Sequence, residues 1–341
     1  AQVQTLERLM PGRVNVSRRE RSMYSHDVGA LPSLIKPLLG NTMPAAVVQP
    51  VSEDEVVSLV RWAAEERVPL VPRGKSTSGY GGVLPVQGGL VVDFVRMSGV
   101  ESLNGEEVTV QPGISWRKLD QHLRKHGLTL RLYPSSYPSS TVAGWLAQGG
   151  AGFGSWKYGW FAGNVVSARV VLGTGEVRDF TAAELDMVSE AEGISGFITR
   201  VTLRTMPALD LAVSLAAFDT PRDLARFVAS LENMDIWSLS FVNPDMVRLS
   251  NQAPLRTHHD HPAEQRVIFP EKYLVLLAYG KEARADGKGS VAEVVGSVVE
   301  ESGGQVLSRE LAEHEWAERF HIMKVKRLGP SVVPAEAVLP L

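Results

Sequence analysis

The stretch YPSSYPSSTVAGWLAQGGAGFGSWKYG, Tyr133 to Gly159, decides how this chain is read. Residues without a Cβ let backbone N–H groups crowd around something flat and anionic. Upstream lies a second loop built the same way, PRGKSTSGYGG, Pro72 to Gly82. Two such loops suit a large ligand with two ends. A dinucleotide fits, its pyrophosphate on one loop and its ring system along the other.

The first loop imitates the end of a P-loop at Gly74-Lys75-Ser76, but a P-loop needs a glycine where Pro69 stands. A Rossmann fingerprint fails as well, because neither cluster has the G-x-G-x-x-G spacing with an acid about twenty residues later. Composition narrows the field further. A chain of 341 residues, 44% hydrophobic, has room for two cores. Its net charge of -3, without a basic block, argues against nucleic acid as a partner. With no cysteine there is no disulfide and no iron–sulfur cluster held by this chain itself. No apolar run approaches the roughly 18 residues that cross a bilayer, so no transmembrane segment is read. The expectation is a soluble, cytoplasmic protein, reaching a membrane only through a partner. The first residue is Ala1, which leaves an upstream segment open.

Three regions follow in order: a lead-in over 1–43, a first domain over 44–207 and a second over 208–341. Pro32 and Gly40 bracket a short helical stretch in the lead-in. Ala46 to Gln49 reads as a strand, and Ser52 with Glu55 predicts a capping box on a helix whose apolar face holds Val56, Val57, Val60, Trp62 and Ala63. Strands are expected at 70–72, 89–94 and 107–113, then a helix from Ser115 to His126. After the second loop, VVSARVVLGTGEVRDF predicts two strands about the turn Gly173 to Gly175, and 194–207 a further strand pair. Beyond Pro207 the pattern is strand (209–218), helix from Thr220-Pro221 to about Met234, strand (236–242), then strand (273–279), helix (291–301), strand (305–307). That order resembles a ferredoxin-like layer. The polar stretch Asn251 to Glu271 reads as a loop.

The ordered series Pro44/Val47/Pro50, PRGKSTSGYGG, VVDFVRM, VTVQPGISWRKLD, Tyr133 to Gly159, VVLGTGEV and EGISGFITRVTLR resembles the flavin domain of the vanillyl-alcohol oxidase and p-cresol methylhydroxylase (PCMH) superfamily. Within it the chain is most similar to the glycolate oxidase and D-lactate dehydrogenase branch. The resemblance implies an α+β fold: a two-subdomain PCMH-type FAD-binding domain followed by a ferredoxin-like cap domain. It implies that the backbone of Gly74, Lys75, Ser76, Thr77 and Ser78, flanked by Arg73 and Gly79, holds the FAD pyrophosphate. Pro134, Ser135, Ser136, Thr141, Gly144, Gly149, Gly150, Gly154, Ser155, Tyr158 and Gly159 would line the flavin and ribityl chain, with Val165 beside them and Ile198 at the adenine end. Relatives that bond flavin covalently here carry a histidine where this chain has Thr77, so noncovalent FAD is implied.

The implied reaction oxidises a 2-hydroxy acid by hydride transfer from Cα to flavin N5 and passes electrons to an iron–sulfur partner or a quinone. Arg319, in EHEWAERF, stands where relatives place an arginine that clamps the substrate carboxylate; Lys324, Lys326 and Arg327 fit on spacing equally well. Relatives continue into a histidine-bearing stretch that supplies the base and often a metal, whereas this sequence ends at Leu341. A fragment, a site completed by another segment or subunit, and a non-catalytic FAD-bearing electron-transfer subunit are therefore all open. So is an alcohol or sugar-lactone oxidase of the same superfamily.

No metal site is read. His258, His259 and His261 are adjacent residues of a polar loop that point apart, and His122 with His126 lack a third ligand. Trp156, Tyr158 and Trp160 either stack on flavin or fill a core. Lys157 lies either near the flavin or on the surface.

Overall fold

The structure, a computed structural model, describes residues 2–29, 36–255, 266–285, 289–329 and 332. Two compact units divide the chain, Ala1–Gly150 with Trp160–Ala208, and Ala151–Gly159 with Leu209–Leu341.

The first unit opens with α1 (Gln2–Leu9), β1 (Val14–Asn15) and α2 (Arg18–Met23), then β2 (Ala46–Val48), α3 (Glu53–Glu66), β3 (Leu70–Arg73) and β4 (Leu90–Asp93). Their sheet runs β1-β2-β4-β3, with β2 and β3 parallel to β4 and β1 antiparallel at the edge. Parallel strands covered on both faces read as unbroken apolar runs, and every residue of LVVD in β4 is buried. The N-terminal residues are part of this core, since Leu6 and Met10 bury against Val56, Leu59 and Val60 of α3. Each such aliphatic side chain contributes about 1.5–3 kcal/mol on leaving water. The capping box at Ser52 is only half made. The Ser52 hydroxyl accepts from the Glu55 N–H at 3.3 Å. The Glu55 carboxylate instead takes the Arg13 guanidinium at 2.5 and 2.6 Å and the Val51 N–H at 2.9 Å, one residue before the cap. Of the stretch from Pro32 to Gly40, residues 32–35 lie outside those described and Lys36–Leu39 form a 3-10 turn.

The second sheet follows, from β5 (Val100–Asn104), β6 (Glu107–Val110), α4 (Trp116–Arg124), β7 (Leu128–Leu130), α5 (Val142–Gln148), α6 (Ser155–Tyr158), β8 (Val165–Val171), β9 (Val177–Thr181) and β10 (Phe197–Pro207). Its order is β5-β6-β10-β8-β9, with β7 pairing the far end of β10; α6 groups with the second unit. Residues 194–207, expected as a strand pair, hold one strand of 11 residues. No glycine interrupts it, and it bonds β6 on one side and β8 on the other, so it runs through the sheet centre without a turn.

The second unit carries β11 (Leu211–Phe218), α7 (Pro221–Ala229), β12 (Ile236–Val242), α8 (Pro244–Gln252), β13 (Tyr273–Gly280), β14 (Arg284–Ala285), β15 (Gly289–Ser290), α9 (Val291–Glu301), β16 (Gln305–Val306) and α10 (Arg309–Glu318). The sheet order β12-β13-β11-β16, antiparallel throughout, is the ferredoxin-like one. Phe218, Val275 and Leu277 face Phe227 of α7 and Val295 of α9. Leu215, Leu274 and Leu276 face the other way, onto Val247 of α8 and Ala312 of α10. A sheet covered on both faces explains why YLVLLAYG in β13 is apolar without alternation. Helix α7 stops at Ala229, short of the expected Met234, and α8 and α10 had no counterpart in the sequence reading. Of the expected loop 251–271, residues 256–265 lie outside those described, His258, His259 and His261 among them.

Candidate functional site

Within the first unit, the loop after β3, the turn into α5 and the segment before β10 wall a cleft open to solvent. Arg73, Gly74, Lys75, Ser76, Thr77, Ser78, Ser136, Thr141, Gly144 and Ile198 line it. Gly79, Pro134, Ser135, Gly149, Gly150 and Val165 belong to the same unit without lining the cleft. Gly154, Ser155, Tyr158, Gly159 and Arg319 fall in the second unit.

The two glycine loops meet at one point. A Cβ on Gly74 would stand 2.4 Å from Thr141 Oγ1, so only glycine allows this approach. That hydroxyl is also the N-cap of α5, accepting from the Gly144 N–H at 3.3 Å. Beyond Gly74 the chain turns through Ser76, whose φ of 49° lies in the left-handed region. Among the described residues, the backbone N–H groups of Lys75, Ser76, Thr77 and Ser78 donate to no protein group. A run of open donors in a glycine-flanked turn is what an anionic diphosphate accepts from.

Arg73 braces this loop from behind. The residue is 7% exposed, and its guanidinium donates to the carbonyls of Tyr24 (3.2 Å) and His26 (2.9 Å) and to Ser76 Oγ (2.7 Å). Burial lowers its pKa, opposed by Tyr24, Asp93 and Asp27. Asp27 clamps the loop's far end, its carboxylate accepting from the N–H groups of Gly29 (2.7 Å) and Gly81 (2.8 Å). Tyr24 donates to Asp93 at 2.7 Å, and burial, then Asp93, pushes the phenol above its usual range. None of these N-terminal residues was legible as part of a site. Their only signal is a polar cluster in a non-periodic lead-in, and their partners lie far along the chain.

A buried acid holds the opposite wall. Asp120, on α4, accepts from Thr129 and Tyr133 at 2.9 Å each and from Arg124 at 3.0 Å, which fixes the start of the Tyr133 to Gly159 stretch. Burial first, then the Asp120 charge, raises the Tyr133 and Tyr137 phenols. Under the cleft, Trp145 stacks on Phe161 at 4.2 Å and Trp116 meets both edge-on, so this aromatic group supports α5. Glu192 also lines the cleft, and the sequence reading passed over it. Its φ is 49°, and partial desolvation pushes its carboxyl above the usual range.

Within the second unit, Trp156 packs against the sheet core and Lys157 pairs with Asp235 at 2.5 Å. The Arg319 guanidinium lies 3.7 Å from the Trp316 ring centre, 4.2 Å from Phe320 and 5.9 Å from Phe153. Aromatic faces fix its plane. Among the described residues no group of three or more His, Cys, Asp or Glu could hold a metal, and no helix is long and apolar enough to cross a membrane.

The cleft matches what comparison with known proteins shows, for residues 44–181 fit the model of the FAD binding domain family. Over those residues the chain is similar to FAD binding domains. The chain is 31% identical to the mitochondrial D-lactate dehydrogenase [cytochrome] of Arabidopsis thaliana over 62% of its own length and 39% of the relative's. With the glycolate oxidase subunit GlcD of Bacillus subtilis it shares 25% identity over 97% and 70% of the two lengths, and with a D-lactate dehydrogenase of Anaerostipes hadrus 28% over 82% and 56%. It thus spans about two fifths of the Arabidopsis protein and over half of the Anaerostipes one. Its fold is that of p-cresol methylhydroxylase (TM-score 0.75, 17% identity, 95% of this chain and 71% of that one) and of alkyldihydroxyacetonephosphate synthase (TM-score 0.73, 20% identity, 94% and 65%).

Proposed function

We propose that the cleft binds FAD noncovalently and that the protein oxidises a 2-hydroxy acid of the D-lactate or glycolate type, passing the electrons to an iron–sulfur protein or a quinone. The observation that carries this reading is the open row of N–H groups from Lys75 to Ser78, locked in place by Gly74 against Thr141. That row suits the pyrophosphate; Ser136, Thr141 and Gly144 offer small side chains that let a flat ring lie close. Bound FAD supplies a hydride acceptor. The substrate class rests on the D-lactate dehydrogenases and glycolate oxidase subunits that the chain resembles. Arg319 is the proposed carboxylate anchor, its guanidinium plane set by Trp316 and Phe320 before any substrate arrives.

The test is anaerobic titration of the flavin-loaded protein with D-lactate, glycolate, simple alcohols and sugar lactones while following visible flavin absorption. Bleaching by a 2-hydroxy acid alone supports the assignment. Bleaching by alcohols or lactones alone moves the substrate class, and no bleaching by any of them leaves an FAD carrier without hydroxy-acid chemistry.

A further inference from the structure

Among the described residues, three ionisable ones contribute to the cleft lining: Arg73, Lys75 and Glu192. They are not equivalent. Arg73 is tied to Tyr24, His26 and Ser76 behind the loop. Glu192 is an acid, the wrong sign for a diphosphate. Lys75 is exposed, and among the described residues its ammonium makes no hydrogen bond or ion pair. It follows Gly74, whose position against Thr141 fixes where the side chain departs, and it begins the row of open N–H donors.

We propose that the Lys75 ammonium neutralises the cofactor's diphosphate, and so makes this cleft select FAD over flavins that lack phosphate. The inference rests on the FAD reading of the cleft and adds a side-chain charge to what the loop backbone provides. Backbone dipoles orient a diphosphate but carry no net charge. The ligand brings two negative charges into a cleft that already holds a carboxylate. A lysine acts as a mobile point charge and tolerates the small shifts of a flexible diphosphate. Such a contact is exposed enough to be weakened by salt.

The experiment titrates the full chain, stripped of flavin, with FAD and separately with riboflavin at low and high salt, for the wild type, Lys75→Met and Lys75→Arg. Expected is a rise of about tenfold in the Kd for FAD in Lys75→Met, a flatter salt dependence, an unchanged Kd for riboflavin, and recovery of most FAD affinity in Lys75→Arg. An unchanged FAD Kd and salt slope in Lys75→Met overturns the proposal while leaving the FAD site standing. An equal loss of FAD and riboflavin also overturns it, since the substitution has then damaged the loop. A wild-type chain that binds riboflavin and FAD equally removes diphosphate recognition altogether, and one that binds neither removes the cofactor reading with it.

Discussion

Gly74 and Thr141, from the two glycine loops, stand so close that a Cβ on the first would lie 2.4 Å from the hydroxyl of the second. One contact therefore sets the distance between the loop that offers N–H donors and the start of α5. Gly74→Ala should force the loops apart, at about 1–3 kcal/mol for overpacking, and FAD retention after gel filtration should fall. Unaltered FAD content in a Gly74→Ala protein of wild-type Tm would show that the loops move independently.

Asp120 carries four side-chain partners in a buried position. Asp120→Ala removes the acceptor that the Thr129 and Tyr133 hydroxyls share; the two stand 2.7 Å apart, so one can still donate to the other, and the change should cost about 1–3 kcal/mol. Urea denaturation checks the figure. Flavin affinity should weaken more than the shift in stability explains, because the acid positions the turn carrying Ser136.

Glu192 is an exposed residue whose carboxyl, partly desolvated at the cleft, is raised above its usual range. Its contribution to stability is fully present below the unfolded pKa and is lost as pH rises through the folded one. Protonation also removes a negative charge from the cleft. FAD should bind more tightly as pH falls through the window above the ordinary glutamate value, and Glu192→Gln should flatten that dependence and tighten binding at neutral pH. Equilibrium titrations across pH read both effects.

Gly150 has open space beside it, its nearest neighbours for a Cβ being Trp145 and Trp160 at 3.9 Å, but its φ is 112°. Strain in the backbone, rather than a clash with protein, is the expected defect. Gly150→Ala should cost about 1–3 kcal/mol, and Gly150→Val should weaken cofactor retention through the same backbone strain. Stoichiometric FAD in the valine variant would show that this strain does not reach the cofactor.

Replacing Arg319 by lysine keeps the charge but loses the fork and the flat stacking on Trp316 and Phe320. KM for a 2-hydroxy acid should rise about tenfold or more, with FAD content unchanged. An unaltered KM would assign Arg319 to packing of the second unit.

Much of the fold was legible because its signals are local. Ser52, Ser115, Thr220 and Ser290 each cap the helix they precede, and the glycine loops announce themselves by composition. Local patterns that admit two outcomes left the choice to tertiary pairing. Residues 194–207 satisfy strand chemistry whether paired as a hairpin or threaded as one central strand, and pairing with β6 and β8 chose the latter. Glu55 satisfies a capping box, yet Arg13 takes it.

The sequence by itself determined that the chain carries two loops dense in glycine and small polar residues, since composition is a property of the chain at each position. Only the tertiary structure decided which of those residues wall the cleft. It brought Gly74 to Thr141, set Tyr24, His26 and Asp27 behind the first loop, admitted Glu192 and grouped residues 151–159 with the second unit. Those choices depend on which distant segments pack together, and contacts between residues remote in sequence leave no periodicity to be read.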